Sequence, residues 1–317
     1  MKKVFLLCVA LSVFTTLFLQ SCQKNEKAPG ERSTLKVVTT LFPLYDFAKN
    51  VGQQRAEVSL LLPPGVEPHT FEPSPADMKR IHGSDLLIFT GKYMEPWVDT
   101  LLKGIDTKSL SVVDTSHTIN LIQGHHSHDK AEQTHTDTLE SPDPHVWLDF
   151  SNAMKIIDSI AAAYMARDPQ NTDFYRKNAE EYKKKLEELD GKYKDTLSQC
   201  RNRVIIHAGH FAFGYLAKRY NLKYVSAFRG FASDAEPTPK RLFELVEIVK
   251  KHNVRSIYYE ELITPKVAEA ISNETGCTLL MLHGAHNITR EETAGGVTFL
   301  QLMENNLENL KMGLQCR

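Results

Sequence analysis

Two series of four short, apolar, β-branched runs punctuate this chain, with helical patterns between them. The first series is Leu35–Thr40, Val58–Leu62, Asp85–Thr90 and Leu110–Asp114; the second is Arg203–His207, Tyr224–Ala227, Arg255–Tyr259 and Thr278–Leu282. Stretches such as Thr238–His252 and Pro265–Glu274 carry the three-and-four spacing of helices. Strands that alternate with helices in this way build parallel sheets, because a parallel pair needs a long crossover. The expected fold is α/β, with two lobes, each a mostly parallel sheet flanked by helices.

Between the two series lie about fifty residues with almost no Gly. Within them Tyr175, Ala179, Tyr182, Leu186, Leu189, Tyr193 and Leu197 recur every three or four positions among many Lys and Glu. That pattern predicts a long helix over Asn171–Ser198 with one apolar face. The chain thus divides into an N-terminal lobe over 35–150, a connecting helical segment over 151–200 and a C-terminal lobe over 201–317. A length of 317 residues fits two domains of ordinary size. A helical connection is a stiff strut, so any opening between the lobes is expected to be modest.

Residues 1–21 begin with Lys2 and Lys3 and continue as an acid-free apolar run from Val4 to Leu19, the order of a secretory signal. The run ends Leu19-Gln20-Ser21-Cys22, which resembles a bacterial lipoprotein cleavage box in which Cys22 is acylated. Residues 22–34 are polar, carry Pro29 and Gly30, and suit a tether. The expected location is therefore outside the cytoplasm, lipid-anchored to a bacterial membrane. Of the remaining cysteines, Cys200, Cys277 and Cys316, an oxidising compartment permits one pair, and Cys277 with Cys316 is expected.

With 38 Lys plus Arg against 39 Asp plus Glu, the chain has no general electrostatic reason to bind nucleic acid. It holds no His-Glu-x-x-His helix, no Gly-x-Ser-x-Gly elbow and no Gly-x-x-x-x-Gly-Lys phosphate loop. Its chemistry lies in its 13 histidines. His125, His126, His128 and His135 fall in a polar stretch, 124–137, that can build no core but can gather Zn, Cu or Ni through neutral imidazole.

Several of the other histidines stand at strand ends or in proline-locked loops. His69 stands in the proline-stiffened segment after Val58–Leu62, and His145 in Asp143-Pro144-His145-Val146-Trp147. His207 closes Arg203–His207, with His210 just beyond it. Glu260 and Glu261 end Arg255–Tyr259, and His283 follows Thr278–Leu282 in Leu282-His283-Gly284-Ala285-His286. The carboxyl ends of parallel strands are where open α/β folds place their ligand crevices, so these side chains suggest a metal site in the cleft between the lobes.

These segments together resemble a known family, the metal-binding solute-binding lipoproteins of bacterial zinc and manganese ABC importers. The resemblance rests on Pro-Pro-Gly-x-x-Pro-His-x-Phe-x-Pro-x-Pro at 63–75, Gly91 with Glu95 and Trp97, and Asp143 to Asp149. It is completed by His210-x-Ala212-Phe213-Gly214-Tyr215 and by Tyr259-Glu260 before Thr264-Pro265. It implies a monomeric capture protein, not an enzyme, that delivers a divalent ion to a membrane permease and its ATPase.

The resemblance implies His69, His145 and His210 as ligands, with a fourth position, usually Asp, held here by His283. Glu260 or water could instead complete the shell, and Glu260, His207 or Asp149 could support it. A fourth imidazole favours Zn, Cu or Ni, whereas a carboxylate favours harder Mn. The His-rich stretch resembles that of zinc-specific members, so Zn2+ is the expected cargo and Mn2+ the alternative. A zinc hydrolase, using Glu260 as base at an open coordination position, and an adhesin lipoprotein are the more distant alternatives.

Overall fold

The computed structural model describes residues 34–105, 107–123, 141–228, 237–262 and 264–317. The signal-like segment, Cys22, and His125, His126, His128 and His135 lie outside these residues.

All eight expected strands form, each within two residues of its anticipated bounds. β1 (Leu35–Thr39), β2 (Ala56–Leu60), β3 (Leu86–Phe89) and β4 (Ser111–Asp114) make one sheet in the order β2-β1-β3-β4. β5 (Val204–His207), β6 (Lys223–Ser226), β7 (Ser256–Tyr259) and β8 (Thr278–Met281) make the other in the order β6-β5-β7-β8. Every pairing is parallel. In each sheet the chain order reverses between the two central strands, so both sheets open a crevice at their carboxyl ends.

Helices cover the sheets: α1 (Phe42–Gly52), α2 (Pro75–His82) and α3 (Trp97–Gly104) belong to the first half. After α4 (Phe150–Arg167) and α5 (Thr172–Ser198) come α6 (Gly214–Arg219), α7 (Pro239–His252), α8 (Lys266–Thr275), α9 (Arg290–Gly295) and α10 (Phe299–Gly313). Local chemistry marks their starts. Ser74 and Asp77 form a capping box on α2, whose first residue is Pro75, and Thr238 caps α7 ahead of Pro239. Asp149 caps α4 by accepting from Ser151 N at 2.7 Å.

The connecting segment is two helices, broken at Pro169, whose ring cannot continue α4. At about 1.5 Å per residue, the 27 residues of α5 reach roughly 40 Å. All seven apolar residues singled out on α5 are buried. One end of that face meets the first half, where Tyr182 donates to Asp46 of α1 at 2.5 Å and Asn178 donates to Val51 O. The other end meets the second half, where Tyr193 donates to Met303 O of α10 at 2.6 Å. One large core runs continuously from the first sheet through α1, α4, α5 and α10 to the second, so residues 35–317 form one compact unit. Two smaller cores lie under α2 and α3 and under α7 and α8.

The disulfide differs from expectation: Cys200 pairs with Cys316, and Cys277 is free and buried. Cys277 enters β8 inside the core beneath α7 and α8, where its thiol meets Val254 O at 3.2 Å. Cys200 follows α5 and forms a backbone bridge with Cys316, so the end of the chain is brought to it.

Candidate metal centre

Four imidazoles converge at the carboxyl-end edge: His69, His145, His210 and His286, with one nitrogen from each lying within 4.8 Å of all the others. His69 comes from the loop after β2, His145 from the turn before α4, His210 from the turn after β5, and His286 from the loop after β8. His145, His210 and His286 are at most 3% exposed, while His69 is half-buried. A cavity of about 470 Å3 opens beside His69, walled by Phe71, Met78, Trp97 and Leu101.

The rings are turned so that Nε2 faces inward. The Nε2 atoms of His69 and His145 are 3.3 Å apart, as are those of His145 and His210. A tetrahedral zinc with Zn–N bonds of about 2.0–2.1 Å would hold its nitrogens about 3.3 Å from one another. His286 Nε2 is buried without a hydrogen-bond partner. A lone pair left this way in a dry interior is costly unless a ligand meets it.

Carboxylates behind three of the rings set this orientation. Asp143 Oδ1 accepts from His145 Nδ1 at 2.7 Å and from the His145 amide at 3.0 Å. Glu260 pairs with His210 Nδ1 and accepts from the His210 amide. Glu261 Oε1 lies 3.2 Å from His286 Nδ1. A carboxylate on Nδ1 selects the tautomer whose lone pair is on Nε2 and makes that lone pair more basic. Glu260 and Glu261, held below the usual carboxylate range by neighbouring histidines despite their burial, can offset the charge of a divalent ion, whereas burial pushes the Asp143 carboxyl well above that range.

Glycines make these close approaches possible: a Cβ on Gly209 would overlap Glu260, and one on Gly284 would overlap the ring of His286.

Burial sets the protonation states. It pulls His145 and His69 well below the usual imidazole range, and the neighbouring histidines reinforce this. Burial acts in the same direction on His210, but Glu260 outweighs it and raises that imidazole. Glu260 is held below the usual carboxylate range by His210, despite its own burial.

His283, expected as the fourth ligand, lies outside the cluster. Its Nδ1 accepts from the Ala285 amide at 2.9 Å, and its Nε2 faces Glu292 Oε1 at 3.4 Å. The reason is backbone geometry. Ala285 adopts a left-handed conformation, φ 57°, which swings the chain back so that His286 enters the cleft. His207 also stays apart: it packs against Phe213 and Tyr224, and burial pushes it down to about 4. Asp149 caps α4 and pairs with Arg219 at 2.7 Å, away from the imidazoles. The roles of Asp143 and Glu261 escaped the sequence reading, although the spacing Asp-Pro-His and the doublet Glu260-Glu261 were available signals.

The chain is similar to known zinc-uptake and zinc-binding proteins. The family model described as "Zinc-uptake complex component A periplasmic" matches residues 37–313. The "High-affinity zinc uptake system protein ZnuA" of Bacillus subtilis is 37% identical over 288 residues, 90% of each chain. The "Zinc-binding lipoprotein AdcA" of Streptococcus pneumoniae is 36% identical over 315 residues, 98% of this chain and 61% of AdcA, so this chain spans somewhat under two thirds of that relative. The crystal structure of the Zn(II)-bound ZnuA-like domain of that AdcA superposes with a TM-score of 0.76 at 34% identity, covering 89% of this chain and 99% of the domain. This chain belongs to the ZnuA family, the component A of zinc-uptake complexes.

Proposed function

We propose that this protein captures one Zn2+ between its two sheets and hands it to a membrane permease energised by an ATPase. The observation that carries the reading is the convergence of four imidazole nitrogens within 4.8 Å, with a carboxylate behind three of them. The ligands are His69, His145, His210 and His286. A shell of nitrogen donors alone favours zinc over manganese, which prefers oxygen. Four protein ligands also close the coordination sphere and leave no position for a reacting water, which supports carriage rather than hydrolysis. The half-buried His69 and the cavity beside it provide the route by which metal enters and leaves.

Cys22 is proposed as the lipidated residue after removal of residues 1–21, with 22–34 as tether, placing the protein outside the cytoplasm as an anchored monomer. The His-rich stretch 124–137 is proposed to collect metal when it is scarce. Among the described residues no helix is long and apolar enough to cross a membrane.

The test is zinc and manganese titration of the mature chain and of His69→Ala, His145→Ala, His210→Ala and His286→Ala variants. One tight zinc per chain, weakened in each variant, is the expected result. Tight manganese with weak zinc, or zinc binding indifferent to all four changes, would overturn the reading.

A further inference from the structure

We infer that His283 is a positioning residue for the metal centre: its ring builds the turn that presents His286. This rests on the reading above, that His286 is a zinc ligand.

The residues between β8 and His286 are fastened at nearly every polar atom. Asn306 accepts from the His283 amide at 2.7 Å and donates to His283 O at 2.8 Å. Glu261 Oε2 accepts from the Gly284 amide at 2.7 Å, while its other oxygen meets His286 Nδ1. Trp147 Nε1 donates to Gly284 O at 2.8 Å. Beyond His286, Asn287 Nδ2 donates to Pro63 O and Val66 O, tying the loop to the segment that carries His69.

The centre of this loop is Ala285, whose side chain is fully buried and whose φ of 57° is a conformation that residues bearing a Cβ rarely adopt. Such backbone strain persists only where the surroundings over-determine it. The buried Ala285 amide has to be satisfied, and the atom that satisfies it is His283 Nδ1, two residues back. This bond closes the same ring that an Asn side chain makes in an Asx turn. Remove the acceptor and the left-handed residue leaves a buried N–H unpaired, so the loop relaxes and the His286 ring loses its aim. Because Asn306 holds the His283 backbone, the ring is in place before any ion arrives. The imidazole at 283 thus supports the site without touching the metal.

The experiment uses the mature chain with His283→Ala, His283→Asn and His286→Ala. It reads zinc affinity by chelator competition, the visible ligand-field spectrum of the Co2+ complex, and the melting temperature of the metal-free protein. His283→Ala is expected to weaken zinc about 10-fold or more, within the range seen when supporting groups of metal ligands are removed. It is also expected to shift the Co2+ bands toward those of His286→Ala. His283→Asn, whose Oδ1 can take the Ala285 amide, is expected to restore both readouts. A His283→Ala protein with a lower melting temperature but the wild-type spectrum and affinity, beside an impaired His286→Ala, would overturn the inference. If His286→Ala itself behaves as wild type, the assignment of His286 as ligand fails instead. If His283→Ala does not fold, His283→Asn is compared with His283→Gln, whose oxygen sits one methylene too far. Restoration by Asn alone supports the inference, and equal behaviour of the two overturns it.

Discussion

His145 Nε2 lies 3.3 Å from His210 Nε2, yet the first comes from the turn ahead of α4 and the second from the turn after β5. Each ring is held from behind by a buried carboxylate, Asp143 for His145 and Glu260 for His210. The two nitrogens face each other because something outside the ring pair fixes both.

Asp143 is therefore expected to matter for metal as a ligand would, without touching it. Asp143→Asn should weaken zinc by about 10–100-fold, the usual consequence of removing a carboxylate behind a ligand imidazole. Competition with a chromophoric chelator measures this, and an unchanged affinity would show that the His145 ring is oriented by packing against Trp147 instead.

Acidification should weaken zinc binding mainly through His210. Its imidazole is raised by Glu260 whereas His69 and His145 are lowered, so the proton that zinc must displace sits on His210 first. Affinity should begin to fall already above the reference imidazole value of about 6.5, because the raised His210 takes up its proton there as pH drops. Glu260→Gln should move that fall to lower pH, since the group that raises His210 is gone. Calorimetry in two buffers of different ionisation enthalpy counts the protons released. The same proton count in wild type and Glu260→Gln would refute this account.

The Cys200–Cys316 bridge closes a sequence separation of 116 residues, tying the end of α5 to the end of the chain. Its loss through Cys200→Ser should cost about 2–5 kcal/mol of stability. Cys277→Ser should leave the bridge intact, so thiol titration of denatured, unreduced residues 35–317 carrying that substitution should find no free thiol. Two thiols in that assay would contradict the pairing.

Glu95 is buried and pushed up to about 7 by that burial, although Thr40 and the amides of Thr90 and Gly91 donate to it. The folded chain then keeps this proton at pH values where the unfolded chain has lost it. The contribution to stability is full below the unfolded value of about 4.3 and declines as pH rises toward about 7. Carboxyl-carbon NMR of the folded protein should show Glu95 titrating near neutrality. A midpoint near 4 would mean that the three donors outweigh burial.

The strands were legible because short β-branched runs between helical patterns leave little choice of partner geometry. The helix α5 was legible because one apolar residue in every three or four points the same way, and Tyr175 to Leu197 are all buried as that spacing requires. His69 and His210 were legible because each follows a strand whose end is recognisable in sequence, and His145 because it stands in the proline-locked run Asp143-Pro144-His145-Val146-Trp147. The fourth histidine was not. His283 and His286 both follow β8, and the difference between them is the left-handed turn at Ala285, a non-glycine residue that carries no local signal for it.

Local pattern alone thus determined the alternation of strand and helix, the amphipathic strut and the supply of imidazoles at strand ends, because each depends on neighbours within a few residues. Tertiary structure decided which imidazole completes the cluster, which carboxylate stands behind each ring, and that Cys200 rather than Cys277 meets Cys316. Those outcomes depend on contacts between residues far apart in the chain: Trp147 with Gly284, Glu261 with His286, Asn306 with His283. Such distances are set only when both sheets close on their common core.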